Sequence, residues 1–251
     1  MAFSIDLQGR SALVTGAGQG VGRAIATFLA TAGAHVFVND FYPERAQAVA
    51  DEIGADGGEA TTLPFDVTDF DAVSESVASA GALDVLVNNA GNAGIGGWTG
   101  AGSLVDSQPA DWEPFLKVNL NGVMHATRAV VPGMIEGRWG RVITIVSDAG
   151  RAGEPNMAAY GAAKAGAAGF SRGVAREVGR HGITVNNIAL GTIPAVAPDE
   201  SSSQAMLKKY VVRRFGTPED VAGLALYLAS PLASWITGQT YAVNGGYTFS
   251  L

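Results

Sequence analysis

Tyr160 and Lys164 stand four residues apart in Tyr160-Gly161-Ala162-Ala163-Lys164, which puts both side chains on one face of a helix. A phenol with a free pKa of about 10 is a poor base at neutral pH. A neighbouring ammonium lowers that pKa by stabilising the phenolate, so such a pair can exchange a proton with a substrate oxygen. Taken singly, a tyrosine–lysine pair on a helix is a common surface feature; here its company gives it weight. Ser147 closes the apolar run 141–146, at the carboxyl edge of an expected strand, where its hydroxyl can hold a carbonyl oxygen. Asn88-Asn89-Ala90-Gly91 closes another such run, and Asn119 falls in the helical stretch that follows, where a buried asparagine needs a partner.

A second kind of chemistry is written near the start of the chain. Thr15-Gly16-Ala17-Gly18-Gln19-Gly20-Val21-Gly22 follows a short apolar run and opens a helical pattern. Glycines there permit positive φ and let the backbone approach a pyrophosphate, while the helix amides face the phosphates. A plain tight turn would use similar residues, and it is the position between strand and helix that favours the phosphate reading. Asp40 ends the second apolar run, 24 residues beyond Gly16. A carboxylate at that place accepts both adenosine ribose hydroxyls and repels a ribose 2′-phosphate, and Gln19 brings no positive charge to offset it. NAD is therefore expected over NADP.

The elements that must position these residues alternate from end to end. β-branched runs occur at 12–14, 35–38, 61–63, 85–87, 141–146, 184–188 and 240–243, and alanine-rich helical stretches at 20–32, 43–53, 69–80, 109–135, 158–179 and 218–228. Continuous apolar runs suit strands covered on both faces, and the alternation implies a doubly wound α/β fold with one seven-stranded parallel sheet. No linker or repeat divides it, so residues 1–251 are expected to form one dinucleotide-binding and catalytic domain. Two stretches break the alternation and are expected as long loops at strand ends: the glycine-rich 92–108, which carries Trp98, and 194–204.

Composition narrows the classes further. The chain has 251 residues, 47% hydrophobic and 16% charged, enough for a large core. A net charge of −7 with no basic run argues against nucleic-acid binding. The absence of cysteine removes thiolate catalysis and cysteine-based metal sites, and His35, His125 and His181 form no metal-ligand spacing. The opening residues 1–7 do not read as a secretory signal, and no apolar run reaches the ~18 residues of a membrane span, so a cytoplasmic protein is expected.

Taken together the motifs resemble the short-chain dehydrogenase/reductase family, in its compact branch that includes 3-oxoacyl reductases and hydroxysteroid dehydrogenases. The resemblance covers essentially the whole chain: Thr15 to Gly22, Asp66-Val67, Asn88 to Gly91, Asn119, Ser147 thirteen residues before Tyr160, Lys164, and the closing Gly238-Gln239-Thr240 and Asn244-Gly245-Gly246. It implies Tyr160 as general acid/base and Ser147 as the group that orients the carbonyl. Lys164 would bind the nicotinamide ribose and lower the Tyr160 pKa, and Asn119 would hold a proton-relay water. Gly16, Gln19, Gly20, Val21, Asp40, Phe41, Asp66, Val67, Asn89, Ala90, Gly91, Gly191 and Ile193 would meet the dinucleotide. It further implies a small-molecule alcohol or ketone substrate and a homotetramer, with the ending 247–251 suited to burial at an interface.

The chain departs from the family at Leu190-Gly191-Thr192-Ile193-Pro194-Ala195, where Leu190 replaces a proline and Ala195 a cofactor-touching threonine. A 3-oxoacyl thioester is the first expected substrate, a cyclic or steroid alcohol the second, and a non-catalytic dinucleotide-binding regulator a reading from another class. A sugar-nucleotide epimerase is disfavoured, because no residues remain for a larger substrate domain. His125 is expected to have a packing or interface role, and Arg151 to be a solvated surface residue or, less favoured, to meet an anionic substrate.

Overall fold

The computed structural model describes residues 4–92, 102–194 and 200–249. Seven parallel strands form one sheet: β1 (Ser11–Val14), β2 (His35–Val38), β3 (Glu59–Thr62), β4 (Val85–Asn88), β5 (Gly140–Ser147), β6 (Ile183–Leu190) and β7 (Thr240–Val243), in the order β3-β2-β1-β4-β5-β6-β7. The order reverses between β1 and β4, where Leu13 pairs with Leu86 and Val14 with Val87. In such sheets a crevice opens at the carboxyl ends of the strands beside the reversal.

Side-chain alternation along the strands builds two cores. Val14, Val36, Val38, Val87 and Ile143 face helices α1 (Gly20–Thr31), α2 (Pro43–Ala55) and α9 (Pro218–Ala229). Leu13, Phe37, Leu86, Val142 and Val185 face α3 (Phe70–Ala80), α5 (Gly122–Gly137) and α7 (Ala158–Val178). Burial on both faces is why these strands read as unbroken apolar runs rather than alternating ones. At the start of α9, Asp220 accepts a 2.8 Å hydrogen bond from the Thr217 amide, with Pro218 in the first turn.

The differences from expectation have local causes. The helix expected over 109–135 is α4 (Pro109–Leu116), a π-helical turn Lys117–Asn121, and then α5. Asn119 Nδ2 donates to Phe115 O at 3.0 Å, the carbonyl that the Asn119 amide would take in an uninterrupted α-helix. The segment 194–204 is not wholly loop, because α8 (Glu200–Leu207) begins inside it, while a four-residue helix α6 (Ala149–Ala152) follows β5. β6 runs past the expected 184–188 through Leu190, paired there with Val243. The edge strand β3 begins two residues earlier than expected and has a half-exposed pattern that gives little periodic signal. Trp98 and Ala195 lie outside the described residues.

Candidate functional site

The glycine turn is held open by two asparagines. Asn39, at the end of β2, accepts from the Gly16 amide at 3.3 Å and donates to Leu63 O and Phe65 O at 3.1 Å each. Asn89, just past β4, donates to Thr15 O at 3.0 Å and Gly16 O at 2.9 Å. Gly16 has φ +62, and a Cβ there would stand 2.8 Å from Ala90 Cα. A Cβ on Gly22 would stand 2.3 Å from Gly16 O and 2.4 Å from Asn89 Nδ2. Glycine is required at both places, by dihedral at the first and by close approach at both. α1 starts at Gly20 with Gln19 extended before it and no side-chain cap, leaving its first amides directed at the crevice.

From this turn a cavity of about 910 Å³ runs along the strand ends. It is lined by every residue expected to meet the dinucleotide: Gly16, Gln19, Gly20, Val21, Asp40, Phe41, Asp66, Val67, Asn89, Ala90, Gly91, Gly191 and Ile193, with Asn119, Ser147, Tyr160 and Lys164 at the far end. At the near end Asp40 is buried, with Oδ2 accepting from the Gly18 amide at 3.1 Å and Oδ1 from the Tyr42 amide at 3.0 Å. Phe41 is exposed at the rim, and the Arg45 guanidinium lies 4.3 Å from the Tyr42 ring centroid. Asp66 caps its own turn by accepting from the Thr68 amide at 2.8 Å, and the Val67 carbonyl accepts from His125 Nδ1 at 3.0 Å, so His125 packs as expected.

The far end brings together residues from four elements. Ser147, the last residue of β5, is buried and its Oγ accepts from the Ala149 amide at 3.1 Å. Its hydroxyl also lies close enough to Tyr160 to influence the phenol's pKa, so two groups thirteen residues apart share one place. Lys164, one turn after Tyr160 on α7, is buried; its Nζ donates to Ile145 O at 2.9 Å and lies 5.9 Å from the Tyr160 ring centroid. Asn119 is fully buried in the π turn; Nδ2 donates to Asn92 O at 2.8 Å as well as to Phe115 O, and Oδ1 accepts from the Asn92 amide at 3.2 Å. Gly91 lies beside both: a Cβ there would be 3.1 Å from Asn119 Oδ1 and 3.3 Å from Lys164 Nζ.

The electrostatics differ from expectation at the phenol. Burial raises the Tyr160 pKa above its ordinary value, and the nearby Ser147 hydroxyl works against that rise. The expected lowering by Lys164 is not what this structure shows: burial itself pulls the ammonium down to about 8, which weakens it as a standing positive charge. Burial thus favours the neutral form of each group. Asn119 likewise spends both amide hydrogens on backbone carbonyls, leaving only its oxygen with a free lone pair for a relay water.

Asn39 and Arg45 belong to no motif the sequence shows, and Thr15 gains a role beyond opening the glycine turn. Thr15 Oγ1 accepts from the Asn89 and Ala90 amides at 3.1 Å each and so ties β1 to β4 at the reversal. The signal for Asn39 was an asparagine at the end of a buried strand, which needs a partner. Asp148 and Arg151 form an ion pair at 2.7 Å, and Asp148 Oδ2 accepts from Asn244 Nδ2 at 2.6 Å and Thr248 Oγ1 at 2.9 Å. Arg151 is therefore neither simply solvated nor directed at the crevice. Among the described residues no group of three or more His, Asp or Glu gathers as a metal site, and no helix is long and apolar enough to cross a membrane.

A doubly wound sheet whose strand-end crevice joins a phosphate-cradling turn to a hydroxyl–phenol–amine cluster belongs to the class of Rossmann-type oxidoreductases. Residues 16–248 match a family model described as enoyl-(acyl carrier protein) reductase. The chain is 40% identical over 246 residues to a 3-oxoacyl-[acyl-carrier-protein] reductase of Synechocystis, covering 96% of this chain and 97% of the relative. A putative gluconate dehydrogenase of Agrobacterium tumefaciens superposes with TM-score 0.92 at 29% identity, covering 98% of each chain. A gluconate 5-dehydrogenase of Burkholderia cenocepacia, solved in complex with NADP and tartrate, superposes with TM-score 0.90 at 33% identity, again covering 98% of each. The chain belongs to the short-chain dehydrogenase/reductase family. It is an NAD(P)-dependent oxidoreductase that interconverts an alcohol and a carbonyl.

Proposed function

We propose that the chain, acting over residues 1–251 as one unit, reduces or forms a 3-oxoacyl thioester at the Ser147–Tyr160–Lys164 cluster, with NAD as the preferred dinucleotide. The observation that carries this reading is the cavity that places those three side chains at one end and Asp40 at the other. The residues fit a dinucleotide: Gly16, Gln19, Gly20 and Val21 line the cavity at the start of α1, which has no side-chain cap, and Asp40 lines it beside them. Bound nicotinamide supplies or accepts the hydride.

The remaining work falls to the chain. Ser147 donates to the carbonyl oxygen and fixes its direction, as an oxyanion donor does. Tyr160 gives that oxygen a proton in reduction and takes it in oxidation. Lys164 Nζ, held on Ile145 O and drawn to about 8, would bind the nicotinamide ribose beside the phenol. Asn119 anchors the Asn92 backbone and offers Oδ1 to a relay water. The thioester substrate is supported by the name of the 40%-identical Synechocystis relative. An absorbance panel of acetoacetyl thioester, a gluconate-type keto acid and a cyclic ketone tests it, and the thioester should be turned over with the highest kcat/KM. Tyr160→Phe should abolish turnover yet leave NADH binding within about twofold; a variant that turns over normally removes Tyr160 from the mechanism.

The NAD preference rests on Asp40. Its carboxylate is fixed by the Gly18 and Tyr42 amides, and a 2′-phosphate about 4 Å away would meet a repulsion of roughly 1–4 kcal/mol. Arg45 at the same rim offsets part of this from a solvent-exposed position. Asp40→Ala should narrow the NAD:NADP ratio of kcat/KM by about tenfold; a wild-type preference for NADP would overturn the repulsion reasoning. A homotetramer is proposed on the exposed apolar side chains of Leu116 and Met124 near Asn119 and of Phe249 near the C-terminus, and light scattering decides it.

A further inference from the structure

Gly191 and Ile193 line the cavity that holds Ser147 and Tyr160, while Thr192 between them faces a smaller adjoining pocket with Tyr210; β6 stops at Leu190, so beyond Gly191 the sheet no longer holds this segment. What holds it comes from the stretch after α8. Tyr210 Oη accepts from the Thr192 amide at 3.0 Å and donates to Thr192 Oγ1 at 2.6 Å, while the Gly216 amide donates to Thr192 O at 3.2 Å. Both backbone groups of Thr192 are thereby satisfied by residues distant in sequence. Tyr210 is only 3% exposed, with its ring 6.1 Å from Phe215 and 5.2 Å from Tyr247. The Tyr247 hydroxyl in turn donates to Glu154, in the loop between Ser147 and Tyr160.

Ring packing alone would be served by phenylalanine. A buried hydroxyl costs free energy unless it is hydrogen-bonded, and here its partners are the amide and hydroxyl of Thr192, the residue that joins cavity-lining Gly191 to cavity-lining Ile193. We propose that Tyr210 is a positioning residue: its hydroxyl fixes Thr192 and, through it, the Gly191–Ile193 backbone against which the nicotinamide end of the dinucleotide rests. This inference depends on the proposed placement of the dinucleotide, with its adenosine end at Asp40. Without the Tyr210 hydroxyl the Thr192 amide has no protein acceptor in this packing, and the segment must move to find water. The adenosine end of the cavity, built on Gly16, Asp40 and Asp66, shares no contact with Tyr210 and should not respond.

The test is Tyr210→Phe, which keeps the ring and removes only the hydroxyl. NADH and ADP-ribose, which ends short of the nicotinamide, are titrated separately by calorimetry, alongside steady-state kinetics. The expected result is about a 5- to 10-fold rise in the NADH Kd and in the dinucleotide KM, the size of one or two lost hydrogen bonds. The ADP-ribose Kd should stay within about twofold, and the pH profile should keep its position. Unchanged NADH binding, or equal weakening of NADH and ADP-ribose, overturns the proposal, because Tyr210 would then only pack. Wild-type protein that binds neither ligand instead overturns the dinucleotide reading itself. Should Tyr210→Phe fail to fold, Thr192→Val leaves the phenol in place and removes its acceptor. It should weaken NADH alone by a smaller factor, and an unchanged NADH Kd in that variant also overturns the proposal.

Discussion

Lys164→Met should change how stability depends on pH, and the size of the change follows from where the ammonium sits. The side chain is buried, its one hydrogen bond runs to Ile145 O, and burial draws its pKa from 10.5 to about 8. In the unfolded chain the same group titrates near 10.4. A base whose folded pKa is the lower one binds fewer protons in the native state across that interval, so stability rises as pH climbs from about 8 to about 10.5 and is lost as pH falls back. At 1.36 kcal/mol per pKa unit the swing is about 3 kcal/mol, an upper figure because partial water entry would reduce it. Methionine has nearly the same length and no charge, so the variant should lack this slope. Urea unfolding of both proteins at several pH values from 7 to 10.5 isolates the effect, since other titrating groups cancel in the difference. The expected outcome is a wild-type-minus-variant stability difference that grows by about 3 kcal/mol toward alkaline pH. A flat difference, or one that shrinks with rising pH, would mean that the ammonium is not held away from water and that its proton is not poised near neutrality.

Other consequences are open to direct measurement. Ser147→Ala removes the hydroxyl that opposes the burial-driven rise of the Tyr160 pKa, so the pH at which alcohol oxidation reaches its plateau should move upward, with kcat lower by about 10². A profile that stays in place would show that Ser147 does not tune the phenol. Gly22→Ala places a Cβ 2.3 Å from Gly16 O, and overpacking of about 1–3 kcal/mol should lower Tm by roughly 2–10 °C and weaken NADH binding. Calorimetry and NADH fluorescence read both, and wild-type values in each would refute the close packing of α1 on the turn.

The central strands are legible because burial on both sheet faces writes itself into sequence as unbroken apolar runs, and β-branched residues mark the partly exposed β3 and β7. Boundaries slipped where that signal fades, at the half-exposed edge strand β3 and at the last residues of β6. The π turn at Lys117–Asn121 was invisible because it depends on a side chain replacing a backbone donor, an exchange that leaves no periodic trace. The helix beginning at Glu200 leaves no helical signal in sequence, because the prolines and serines around it read as loop.

Residue types and local spacing determined the chemistry: Tyr160 and Lys164 one helical turn apart, glycines where a Cβ cannot fit, and a carboxylate at the end of the second strand. Those features are local, and helix or strand geometry fixes them without knowledge of the rest of the chain. Only the tertiary structure decided the protonation balance and the bracing. The depth of Lys164, the shared position of Ser147 and Tyr160, and the closure of Tyr210 onto Thr192 depend on which distant segments exclude water from one another. Desolvation is a property of the packed assembly, and no spacing along the chain encodes it.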